Sequence, residues 1–155
     1  MGSVSPADEV LIEQAALALA AARRGDDDGA MLHASTNIQD VVMLLFGECS
    51  AMVAALGDGG ATPVKVQVFD SDGTEVSIDQ ADPPVRTAVR TLLAEVHGNS
   101  DDAREQVEIA LRGAAPEEVA SLVLQALRWT IRLAGECLDR ELPVAGWVSD
   151  AMGQD

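Results

Sequence analysis

A chain of 155 residues, 48% apolar and 23% charged, is one domain's worth of sequence and needs no disulfide or metal to hold a core. Its net charge of −16 repels phosphate backbones and anionic lipid, so neither nucleic acid nor a membrane is an expected partner. Aromatics make up 3% and Tyr is absent, which leaves Ala, Val and Leu to build the interior and favours closely packed helices.

Ser5-Pro6-Ala7-Asp8 reads as a helix start, with Ser5 as cap, Pro6 in the first turn, and Asp8 and Glu9 at the positive end of the dipole. This first helix is expected from Pro6 to Arg24, with Gly25 as its left-handed stop. Arg24-Gly25-Asp26 is then a helix-hairpin turn. Asp28 is placed to cap a second helix that runs to Leu56 and is apolar apart from His33, Asn37, Asp40 and Glu48. Such a helix must be covered on most sides. Ser35-Thr36-Asn37 can interrupt it, because Thr36 and Gln39 have capping-box spacing, but one long helix is the favoured form.

Gly57-Asp58-Gly59-Gly60 is a flexible connector. Val64, Val66 and Val68 then alternate with Lys65, Gln67 and Phe69, Asp72-Gly73 supplies a turn, and Val76 and Ile78 alternate on the return. This predicts a β-hairpin over 63–80. Two strands alone are marginal in water, so the hairpin must pack on helices or pair with another chain. Asp82-Pro83-Pro84 opens a third helix with a stripe of Val85, Ala88, Val89, Leu92, Leu93 and Val96, ended by Gly98. Ser100 is placed to cap a fourth, which Gly113 ends. The fifth starts at Pro116-Glu117-Glu118 and extends to Glu141, before Pro143. Its polar stripe includes Gln125, Arg128, Arg132, Glu136 and Asp139, with Arg132 and Glu136 spaced to pair. A short docking segment with Val144, Trp147, Val148 and Met152 occupies 143–155. The expected fold is mainly α with a minor β part: a single helical domain over 1–155 and a five-helix bundle, with one β-hairpin inserted between the second and third helices. The element order is αα-ββ-ααα, with 6–56 a helical hairpin and 82–141 three helices.

Two stretches share a skeleton. Arg24-Gly25 precedes Gly47-Glu48-Cys49, and Arg112-Gly113 precedes Gly135-Glu136-Cys137 at the same spacing, with an offset of 88 throughout. The match suggests an αα pseudo-repeat in which the second and fifth helices cross closely. Gly47 and Gly135, costly inside helices unless a backbone approaches them, would stand at that crossing beside Cys49 and Cys137. Both thiols sit on apolar helix faces, where a free Cys acts as a small hydrophobe. The sequence has no CxxC and no close ligand spacing, so no metal site is expected.

Neither His33 nor His97 belongs to a Glu-x-x-His pair. His97, at the end of the third helix, suits a capping role. Asp26-Asp27-Asp28 and Asp70-x-Asp72-Gly73 lack the remaining ligands of a calcium loop and read as turns. No phosphate-binding loop, nucleophile elbow or zinc-protease motif occurs. No catalytic residue and no cofactor is therefore assigned, and a non-enzymatic protein is favoured.

The functional expectation is a small acidic protein-interaction module, an adaptor, chaperone-like or regulatory partner. It would self-associate as a homodimer through the apolar second helix or the hairpin and attract a protein partner, a basic one suiting its charge. Arg128, Arg132, Trp129 and Trp147 are the candidate interaction or pocket residues. One alternative is a small-molecule binder or enzyme with a pocket between helices, where Arg128 and Arg132 would anchor an anion. A second is an acidic decoy of a nucleic-acid-binding surface. The opening residues lack the basic-then-apolar pattern of a secretory signal, and reduced thiols suit a cytoplasmic setting. The bias to Arg over Lys with abundant Ala is the kind seen in bacterial proteins.

Overall fold

The computed structural model describes residues 6–57, 68–69, 74–77 and 80–153. Among these the protein is mostly helical, with seven helices rather than the five and a docking segment expected. The first, α1, spans Pro6–Arg23. It ends where Gly25 takes φ +82°. Asp26 N–H donates to the Ala21 carbonyl at 2.9 Å and Gly25 N–H to that of Ala22 at 3.0 Å, the paired bonds of a left-handed helix stop. Asp26 at once caps the next helix, its carboxylate accepting from Gly29 N–H at 3.0 Å. The cap is therefore Asp26 and not Asp28, because the turn closes in a single residue. Ser5, the expected cap of α1, lies outside the described residues.

The predicted long second helix is two: α2, Asp27–Ala34, and α3, Ile38–Leu56. Ser35-Thr36-Asn37 breaks it, as short polar side chains compete with the helix for backbone partners. Ser35 Oγ donates to the Leu32 carbonyl at 2.8 Å. Asn37 does not cap α3 with its side chain; its amide instead donates to Gln14 Oε1 on α1 at 2.7 Å. The break thus combines a local bond from Ser35 with a tertiary one from Asn37.

Of the hairpin predicted over 63–80, only 68–69, 74–77 and 80 lie among the described residues. Two residues of β1, Val68–Phe69, pair antiparallel with two of β2, Glu75–Val76, with Val68 opposite Val76 and Phe69 opposite Glu75. The Asp72-Gly73 turn and the start of the predicted first strand lie outside the described residues. Then come α4 (Pro83–Val96), α5 (Ser100–Arg112), α6 (Pro116–Asp139) and α7 (Gly146–Gly153). Gly98, at φ +80°, ends α4 as Gly25 ends α1. Asn99 precedes α5 as its cap residue, without a side-chain bond, in place of Ser100. The α6 stop has the same bond pattern, with Leu142 N–H donating to the Cys137 carbonyl at 2.8 Å. There, however, Glu141 holds the left-handed position at φ +57°.

At the centre α3 lies against α6. Phe46 meets Trp129, Cys49 meets Thr130 and Met52 meets Cys137, so the contacts advance in one direction and the two helices run parallel. Helices α4 and α5 make the return between them and pack on each other. On the other side α1 brings up Ala15, Ala18, Ala20 and Ala21, all buried; these small side chains let it approach both central helices. The largest buried side chains are Phe46, Leu19, Leu45 and Leu127, so the core is aliphatic, as the scarcity of aromatics implies.

Candidate functional site

The matched cysteines lie in the seam between α3 and α6, and both are free and buried. Thr130 Oγ donates to the Ala126 carbonyl at 2.7 Å. That uses its proton, so in the 3.3 Å contact with Cys49 the thiol is the donor. Burial, with the Glu48 carboxylate adding to it, pushes the Cys49 thiol up to about 12. At neutral pH Cys49 stays protonated and is no nucleophile. Cys137 donates to the Met52 carbonyl at 3.8 Å, and its burial likewise raises its thiol. Neighbours across the seam are separated in number by 81, 83 and 85, against the sequence offset of 88. The two thiols thus stand roughly one to two turns apart along the seam. Among the described residues no group of three or more His, Cys, Asp and Glu is arranged to hold a metal ion.

The glycines do not mark a close backbone crossing. An added Cβ at Gly135 would meet nothing within 4 Å, and at Gly47 only Glu95 Oε2 at 3.9 Å. The seam instead closes on side chains, because Phe46, Leu127 and Thr130 fill it.

The two tryptophans hold helices together. Trp129 packs edge-on against Phe46, ring centres 6.1 Å apart at 68°. It also touches a smaller cluster of Ala81 and Val89 with Val76, Val85 and Leu93, and so joins the β2 and α4 side to the main core. Trp147 on α7 hydrogen-bonds the half-buried Glu48 carboxylate on α3. Burial raises the Glu48 carboxyl, and the Trp147 bond partly offsets this. Arg128 is exposed and reaches Asp27 on α2 at 3.2 Å. Arg132 is exposed one turn further on; its expected partner Glu136 pairs with Arg140 instead, at 3.1 Å. The four candidate residues therefore do not converge: two tie helices through the core and two lie on the outer face of α6.

Among the described residues a concave surface lies elsewhere, where α1, α3, α4 and α5 meet. A cleft of about 460 Å³ is lined by Leu11, Met43 and Leu44, which also pack on the core, and by Asp40, Glu95, Asp101 and Arg104. Gly47 lies beside it under Glu95. Arg104 pairs with Asp40 at 3.6 Å, and Gln39 donates to Glu108 at 3.1 Å next to them. Three carboxylates against one guanidinium make the rim acidic. Sequence reasoning missed this group because its members come from four helices, and the one local signal was Gly47 in an apolar helix. A smaller space of about 100 Å³ separates α4, α5 and α6, below the size of an ordinary ligand pocket.

Comparison with protein-family models, with curated proteins and with solved structures finds no match to this chain.

Proposed function

We propose that this protein is a small acidic interaction module that works by binding other proteins, its own copies included, through apolar surface its fold leaves uncovered. One observation carries the reading. Helix α3 is long and apolar enough to cross a membrane by length and composition, yet 33% of it is fully buried and most of the rest only half-buried, Met43 and Leu44 included. A helix apolar on nearly every side needs cover on nearly every side, and here Met43 and Leu44 stay half-open beside Asp40. Leu32, 72% exposed, and Ile109, 55% exposed, add apolar surface on α2 and α5. The net charge of −16 keeps such a surface soluble and directs it to complementary partners.

Sedimentation across a concentration series, together with affinity capture from the cell of origin, tests this. The expected result is reversible association or a stoichiometric protein partner. A chain that stays monomeric at high concentration and retains no protein would overturn it.

A further inference from the structure

We infer that the cleft between α1, α3, α4 and α5 is the docking groove for a basic, amphipathic helical segment of a partner protein. The inference rests on the interaction-module reading and names its site and the chemistry of its occupant. The apolar side of the groove is Leu11, Met43 and Leu44, half-buried side chains anchored on the core. Met is unbranched and polarisable and adapts to different apolar partners, which is why it recurs on surfaces that take amphipathic helices. Gly47 contributes no side chain beside the groove, and the Glu95 carboxylate lies over it, Oε2 3.9 Å from where a Cβ would stand.

The rim decides what the occupant is. Asp40, Glu95 and Asp101 stand around the apolar side, and Arg104 offsets one of them through its 3.6 Å pair with Asp40. The surplus is negative within a protein of net charge −16. A second copy of this chain brings the same charge and is repelled from such a rim, whereas Lys and Arg flanking an apolar helix face meet both parts of the groove at once. A purely cationic chain meets only the rim and leaves Met43 and Leu44 wet.

The test is fluorescence anisotropy with a labelled synthetic helix of Leu and Lys patterned to carry one apolar face, beside a scrambled peptide of the same composition. The patterned helix is expected to bind, more weakly at high salt, and better than the scrambled one. Glu95→Lys with Asp101→Lys, and separately Met43→Ser, should each weaken it by roughly tenfold, while Leu32→Ser on α2 leaves it unchanged. Circular dichroism checks that every variant keeps its helices, and Asp101→Lys alone, at an exposed residue, serves if the double variant does not. No binding of the patterned helix, equal binding of both peptides, or binding insensitive to all groove substitutions would overturn the proposal. So would self-association abolished by Met43→Ser, because the occupant would then be a second copy. If the peptide fails while the protein still associates or captures a partner, the groove is wrong and the interaction reading stands.

Discussion

Gly25 and Gly113 occupy matched positions in the sequence, yet Gly25 takes φ +82° and Gly113 φ −120°. The same divergence runs through both stretches. After Gly25 the chain forms α2, breaks at Ser35-Thr36-Asn37 and resumes as α3, whereas after Gly113 the single helix α6 runs through the matched Val123-Leu124-Gln125 unbroken. Gly47 lies beside the acid-rimmed cleft and Gly135 in open space. Cys49 meets a hydroxyl and Cys137 a carbonyl. Five identical residues at one offset are thus compatible with two local structures, because what surrounds each glycine and thiol is chosen by packing. What the halves share is coarser: each contributes one apolar helix to the parallel central pair.

The largest effect expected to separate the halves comes from the seam. Phe46→Ala should cost ~3–5 kcal/mol of stability by denaturant unfolding, since Phe46 has no exposed surface and packs on Trp129. Its counterpart at the same offset is Ala134, and Ala134→Gly should cost only about 1 kcal/mol. Equal losses would restore the symmetric view.

The thiols give the next contrast. The Cys49 thiol is raised from 9.0 to about 12. Between those values the unfolded chain has lost a proton that the folded chain keeps. Its contribution is therefore complete below pH 9.0 and falls as pH rises toward 12, by about 1.4 kcal/mol per pH unit. Cys49→Ala should flatten this alkaline decline in urea midpoints. An unchanged slope would show that Cys49 ionises freely in the folded protein.

Helix ends test the third difference. Glu141 holds a left-handed position that Gly25 and Gly98 hold elsewhere. Glu141→Gly should therefore stabilise by about 1 kcal/mol, and Gly98→Ala should destabilise by a similar amount. A loss of stability in Glu141→Gly would mean that its side chain outweighs the backbone strain.

The smallest effect is the most pointed test of the glycine match. Gly135→Ala should raise stability by ~0.5–1 kcal/mol, and Gly47→Ala by a similar or smaller amount, because neither Cβ meets a backbone. Destabilisation in both would put the close crossing back between α3 and α6.

Much of the architecture follows from local chemistry and was legible without coordinates. The stripe from Val85 to Val96, the Pro-Glu-Glu start of α6 and the Gly25 and Gly98 stops each use interactions within one or two turns, so short-range pattern suffices. The charge and the aliphatic core follow from composition. The Ser35-Thr36-Asn37 break was visible only as a possibility, because its outcome depends on Gln14 on another helix, whose side chain takes the Asn37 amide.

The candidate residues divide the same way. Trp129 and Trp147 could be named as candidates from the sequence; that one bridges two clusters and the other bonds Glu48 could not. By itself the sequence determined helix content, most helix ends, the acidic field and the apolar character of α3, all properties of neighbouring residues. Only the tertiary structure decided that α3 and α6 lie parallel, that the matched glycines meet no backbone, and that Asp40, Glu95 and Asp101 gather around Met43 and Leu44. Those facts join residues from separate helices, and their distances are set by how side chains fill the space between helices, which no single helix encodes.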